Sequence, residues 1–188
     1  MQKNQTVSTR KIVFAALMAA LVAVGSALRI TLPMDIGGNT SFHLGNIFCA
    51  LSGILLGPWL GGAAAGLGSA IYDMMNPAYI AECWLTFLMK GAYGVAAGLV
   101  IGFGKKQWGY VKATVATTAG AAVYAALYLL KSYVKPMIVQ GFAREAALLS
   151  VIGKLPATVF NAAVAIIFAP ILAIAIRKAL EQNRLTLN

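Results

Sequence analysis

Acidic side chains are scarce in this chain: its 188 residues hold 5 Asp+Glu against 15 Lys+Arg, with one histidine and two cysteines. One histidine and two separated cysteines, Cys49 and Cys83, supply neither a zinc set nor a disulfide framework, so both thiols are expected to be free. The few carboxylates form no acidic relay through several apolar segments, of the kind an independent proton-coupled carrier uses. No Ser/His/Asp set, HExxH or Asp pair occurs in a plausible site. The nearest approach to a phosphate loop, Gly102-Phe103-Gly104-Lys105-Lys106, lacks the upstream glycine spacing and the Ser/Thr. The reading is of a non-enzyme with no cofactor and no ATP site of its own.

Charge of either sign is also low, at 11% of residues, where a soluble domain carries roughly a quarter. What fills the space is apolar: 60% of residues, with a mean hydropathy of +0.80. Six runs are long or apolar enough to read as membrane spans: Ile12–Leu28, His43–Leu56, Leu60–Met75, Cys83–Gly104, Ala113–Tyr133 and Gly153–Ile176. The expected fold is an all-α integral membrane protein, a single domain over residues 1–188. Gly25-Ser26-Ala27 faintly resembles a cleavage site, but the first run is long enough to be a span and more spans follow. The second and third runs are joined only by Gly57-Pro58-Trp59, a tight helical hairpin.

The cations sit at the ends of apolar runs rather than in a basic stripe, which argues against nucleic acid and orients the chain in a membrane. With the N-terminus inside, Lys3, Arg10, Lys11, Lys105, Lys106, Lys112, Arg177, Lys178 and Arg184 are cytoplasmic. Arg29, Lys131, Lys135, Arg144 and Lys154 fall at outer loops and outer helix ends. Six spans then return the C-terminus inside. Two outer connections exceed what packing needs: Thr31–Phe42, polar and glycine-rich, with Asp35 and Gly37-Gly38-Asn39, and Lys135–Ile152, where an interfacial helix is expected around Arg144-Glu145.

Lys90 stands apart, inside an apolar run about 12 Å beyond Glu82. A cation at that depth needs a partner or a water-filled cavity. Glu82, Thr86 and Lys90 recur at i, i+4 and i+8, one helix face. Other polar residues gather in the same outer half: His43 and Asn46 open the second run, Asp73 closes the third, Tyr128 lies in the fifth and Asn161 in the sixth. Together with Asn39 and Trp84 they are the candidate binding residues. Lys90 either faces a ligand or pairs with Asp73 as a structural or gating ion pair; Trp84 is either a stacking ring or an interface anchor. In the first run, Ala15, Ala19 and Ala23, with Ala16 and Ala20 beside them, make a small-xxx-small face for close helix contact, within the chain or with a partner.

Several segments together carry a family resemblance. They are the alanine-rich first run after Arg10-Lys11, then His43-Leu44-Gly45-Asn46, Leu55-Leu56-Gly57-Pro58-Trp59-Leu60-Gly61, Gly68-Ser69-Ala70-Ile71-Tyr72-Asp73 and Thr86-Phe87-Leu88-Met89-Lys90-Gly91. In order and spacing the chain, from Arg10 to Arg177, resembles the substrate-binding S components of energy-coupling factor (ECF) vitamin transporters. The resemblance implies a six-helix bundle in the plasma membrane of a bacterium or archaeon. It implies a vitamin site near the outer face under the loop after helix one, and partnership with a transmembrane T subunit and two cytosolic ATPases. The alanine face of helix one is the implied contact with the T subunit, and toppling in the membrane the implied mode of delivery. The segments at His43–Asn46 and Thr86–Gly91 look most like the branch for hydroxymethylpyrimidine or pyridoxine-type compounds; riboflavin, pantothenate or a queuosine precursor are the alternatives. A membrane scaffold without ligand is the competing class, and a cavity among the outer polar residues would distinguish the two.

Overall fold

A computed structural model of the chain describes residues 8–33, 39–103 and 108–183. Within them run α1 (Thr9–Ala27), strands β1 (Arg29–Leu32) and β2 (Thr40–His43), α2 (Gly45–Leu56), α3 (Pro58–Met74), a single 3₁₀ turn (Ile80–Glu82), α4 (Cys83–Gly102), α5 (Tyr110–Ile138) and α6 (Arg144–Gln182). Lys3, Asp35, Gly37, Gly38, Lys105, Lys106 and Arg184, to which the sequence reading gave places, lie outside the described residues.

The α2–α3 corner follows from two residues. Gly57 takes φ 79°, a conformation L side chains rarely adopt, and closes α2; Pro58, which has no N–H to lose, opens α3. The returning helix then packs at backbone distance on α4: a Cβ on Gly94 would lie 2.9 Å from Gly62 Cα, and one on Gly66 would lie 2.7 Å from Phe87 O. In lipid, such close approach is what drives helix association. The core is correspondingly built from small residues, among them Ala64, Ala65, Ala97, Ala113 and Ala165, around Met18, Val22, Leu51 and Tyr93.

Four helices, α1, the turn with α4, α5 and α6, are long and apolar enough to cross a membrane. The chain is thus an all-α membrane protein in class. At 12 residues α2 spans only about 18 Å, but α1, α3, α4 and α6 pack around it, so it meets little lipid.

Two expectations about connections are corrected. The segment Thr31–Phe42 is not a plain loop: β1 and β2 pair antiparallel, Arg29 opposite His43 and Leu32 opposite Thr40. His43 accordingly ends a strand and does not open α2. Nor is there a separate interfacial helix in Lys135–Ile152. Helix α5 continues through Pro136 to Ile138, and α6 begins at Arg144 and runs unbroken through Pro156 and Pro170. Membrane helices tolerate such prolines because neighbouring groups take up the freed carbonyls.

At the end of the bundle opposite the β1–β2 pair, Arg177 closes the packing. Its Nη1 donates to Trp108 O at 2.5 Å, its guanidinium lies 4.4 Å from the Trp108 ring, and it pairs with Glu181 at 3.4 Å.

Candidate functional site

At the hairpin end the helices do not close. The end of α1, the hairpin, the C-terminal turn of α3 and the N-terminal half of α4 surround a cavity of about 230 Å³, walled on the far side by α5 and α6. Asn39, His43, Asp73, Glu82, Thr86, Lys90, Tyr128 and Asn161, all expected from the sequence, line it. The Glu82–Thr86–Lys90 stripe therefore faces the space as its spacing requires. Two expected residues do not line it. Trp84 is 62% exposed on the outside of α4, two residues out of register with that stripe and so on the opposite face. Asn46 lies buried behind the wall.

Lys90 is held among neutral partners at the cavity wall. It is 3% exposed, and its Nζ donates to Asn46 Oδ1 while lying 4.1 Å from the centroid of Tyr124. No salt bridge joins it to Asp73; the expected ion pair is replaced by a neutral amide and an aromatic face. Tyr124 stacks in turn on Tyr128, centroids 5.8 Å apart at 17°, making one aromatic wall.

The roof is held by one side chain. Asn161 Oδ1 accepts from His43 N at 2.9 Å, and its Nδ2 donates to Ser41 O at 2.8 Å. The amide expected to bind ligand thus ties β2 to α6, and Phe42 meets Phe160 edge-on at 5.0 Å beside it. His43 keeps its Nδ1 buried, with no hydrogen-bond partner among the described residues. Burial, then the charges of Lys90 and Arg29, hold this imidazole well below the usual histidine range, so it is neutral at pH 7.

The cavity also contains residues outside the candidate binding set. Arg29 stacks between Tyr72 (4.1 Å) and Tyr79 (5.0 Å), and its Nε donates to Ser26 O at 2.7 Å. Lys131 and Lys135 both donate to Glu82, and Lys154, 4% exposed, reaches in from α6 to within 5.8 Å of the Tyr128 ring centroid. One signal was available: Tyr124, Tyr128, Lys131 and Lys135 recur at helical spacing, a single face of α5. Among the described residues no three His, Cys, Asp or Glu side chains converge. The site's means are hydrogen bonds, aromatic faces and charge.

On α1, the two alanine registers separate. Ala15 and Ala19 pack against the core, and a Cβ on Gly68 would lie 2.9 Å from Ala19 C. Ala16 and Ala20 face outward with Val13, Leu17 and Val24.

Comparison with known proteins places these features. A family model described as ECF-type riboflavin transporter, S component, matches residues 6–178. A protein of Pyrococcus woesei described as "Uncharacterized protein in gap 3'region" is 30% identical over 115 residues, which is 61% of this chain and 72% of that protein.

Proposed function

From the premise that the chain belongs to the S components of ECF-type transporters, we propose that it captures a single-ring vitamin or vitamin precursor, of hydroxymethylpyrimidine or pyridoxine size, at the outer face of the plasma membrane. The family makes it a vitamin-uptake subunit that binds substrate, not an enzyme, working with T and ATPase subunits in a multi-pass membrane setting.

One observation carries the substrate reading, the cavity itself. Its volume of about 230 Å³ lies below the ~300–1,000 Å³ common for drug-sized ligands, which favours one ring over a fused tricycle such as riboflavin. Tyr124 and Tyr128 offer a face for a heteroaromatic ring, and Thr86 offers a hydroxyl for hydrogen bonding. A scaffold whose polar groups only lock the bundle would have paired them off without leaving such a space. In this reading all six helices lie in the membrane as one domain, both termini cytoplasmic. The hairpin covers the site, the outward Ala16/Ala20 register meets the T subunit, and the complex carries the loaded bundle inward by tilting it.

The test is mass spectrometry of small molecules that co-purify with the detergent-solubilised protein, followed by calorimetric titration of what is found. A monocyclic vitamin or precursor, with affinity reduced in Thr86→Val and in Asn161→Ala, is expected. An empty protein that binds no vitamin from a broad panel would overturn the reading in favour of a structural role.

A further inference from the structure

Two carboxylates line the cavity among the described residues, Asp73 and Glu82, beside five cationic side chains. The two are used differently. Glu82 accepts from Lys131 and Lys135. Asp73, in the last turn of α3, is 7% exposed and enters no ion pair among the described residues. Arg29 and Lys90 form none with it: Arg29 is held by Ser26 O and two tyrosine rings, Lys90 by Asn46 and Tyr124. The hydrogen-bonding neighbour of Asp73 is the Thr86 hydroxyl, which fills one of the roughly four acceptor positions of a carboxylate. Where His43 Nδ1 is sealed from solvent, the Asp73 carboxylate is open to the space it lines.

The buried amide acceptors around the site are already taken. Asn161 Oδ1 receives the His43 N–H, and Asn46 Oδ1 receives Lys90. A buried carboxylate is costly unless donors surround it, so Asp73 keeps acceptor positions unfilled where a ligand would sit. A ring whose face meets Tyr124 and Tyr128 has only its edge left for hydrogen bonds. The edge group received by an ionised Asp73 must donate, since an ionised carboxylate can only accept. It should also be uncharged. An ammonium would bring another positive charge to a lining where cations outnumber carboxylates among the described residues, and like charges repel. An amino group conjugated to an aromatic ring meets both conditions: it is neutral at pH 7 and carries two N–H donors.

We propose that Asp73 determines the specificity of this cavity, and that the ligand is an uncharged amino-substituted heteroaromatic ring of the aminopyrimidine type, its amino N–H received by the Asp73 carboxylate. The proposal rests on the reading of the chain as a substrate-binding subunit and narrows it. Hydroxymethylpyrimidine, which bears such an amino group, moves ahead of pyridoxine, which does not.

The test compares rings that differ at one edge group. The full chain, in nanodiscs of phosphatidylcholine, is titrated calorimetrically with hydroxymethylpyrimidine and its oxo counterpart, in which the amino donor becomes an acceptor, and with cytosine and uracil, which differ in the same way. In at least one pair the amino compound should bind tighter by about tenfold or more, the scale of a hydrogen bond to a charged group. Asp73→Asn should close that gap, because an amide can turn its own N–H toward the oxo oxygen. A carboxylate that only held α3 in place would, when changed, lower both affinities together and leave their ratio as it was. On the unaltered chain, pyridoxamine, an ammonium, should bind no tighter than pyridoxine. Oxo compounds that bind as tightly as amino ones, a preference that survives Asp73→Asn, or pyridoxamine binding tenfold tighter than pyridoxine would each overturn the proposal and leave the binding-subunit reading standing. So would a co-purifying vitamin without an N–H donor, or a vitamin that binds when neither pair does. If nothing co-purifies and no vitamin binds, both readings fail together.

Discussion

His43 shows how a site residue can be tied to the fold through its backbone while its ring is sealed from water. Its N–H goes to Asn161, and its Nδ1 is buried with no hydrogen-bond partner among the described residues. Because burial keeps the folded imidazole neutral well below the ordinary value near 6.5, only the unfolded chain takes up a proton as pH falls through that value. The unfolded state then binds more protons, so stability is complete above about pH 6.5 and declines below it. Thermal unfolding in detergent should show a midpoint that drops between about pH 7 and about pH 5, and His43→Gln should flatten that slope. Equal slopes in the two proteins would mean that His43 is not the group responsible. Asn161 carries the complementary lesson. A polar residue deep in an apolar run signals that something must satisfy it, and the sequence shows no more than that. The satisfied groups turned out to be strand carbonyl and amide, because a two-stranded hairpin is marginal by itself and needs a neighbour.

Among the elements, the helix hairpin at Gly57-Pro58 and the stripe along α4 were legible, since turn chemistry and the 3.6-residue period are local properties. The β-hairpin was not. Its strands are four residues each, β1 mostly exposed and β2 largely half-buried, too short for alternation to stand out beside a polar, glycine-rich connection. Position along the chain tells how deep a residue lies but not which way it points. That is why Lys135 and Lys154 read as charges at the membrane surface when they line the cavity. The same gap left two alanine registers open on α1, and packing now separates them. Ala16→Leu and Ala20→Leu should weaken co-purification with the T subunit while leaving ligand affinity and thermal midpoint unchanged. Ala19→Leu should instead destabilise the chain by about 1–3 kcal/mol, the usual cost of overpacking, through its contact with α3. If Ala16→Leu and Ala20→Leu leave the complex intact, the partner docks on another face.

At the scale of the whole molecule, every cavity residue lies at one end of the bundle, and the Arg177–Trp108 contact lies at the other. Helix α6 connects the two ends, with Ala143 and Asn183 exposed at its opposite termini. In a chain with Cys49 and Cys83 replaced, Ala143→Cys should react with a membrane-impermeant maleimide added to intact cells. Asn183→Cys should react only after the membrane is opened, and the reverse pattern would invert the orientation.

The unequal numbers of cations and carboxylates also bear on any movement of this end through the bilayer. Hydrocarbon has a low dielectric constant, and each uncompensated ion carried into it gives up several kcal/mol of hydration. Any tilt that carried this end into hydrocarbon would therefore be opposed by the solvation of the five cations and two carboxylates that line the cavity among the described residues.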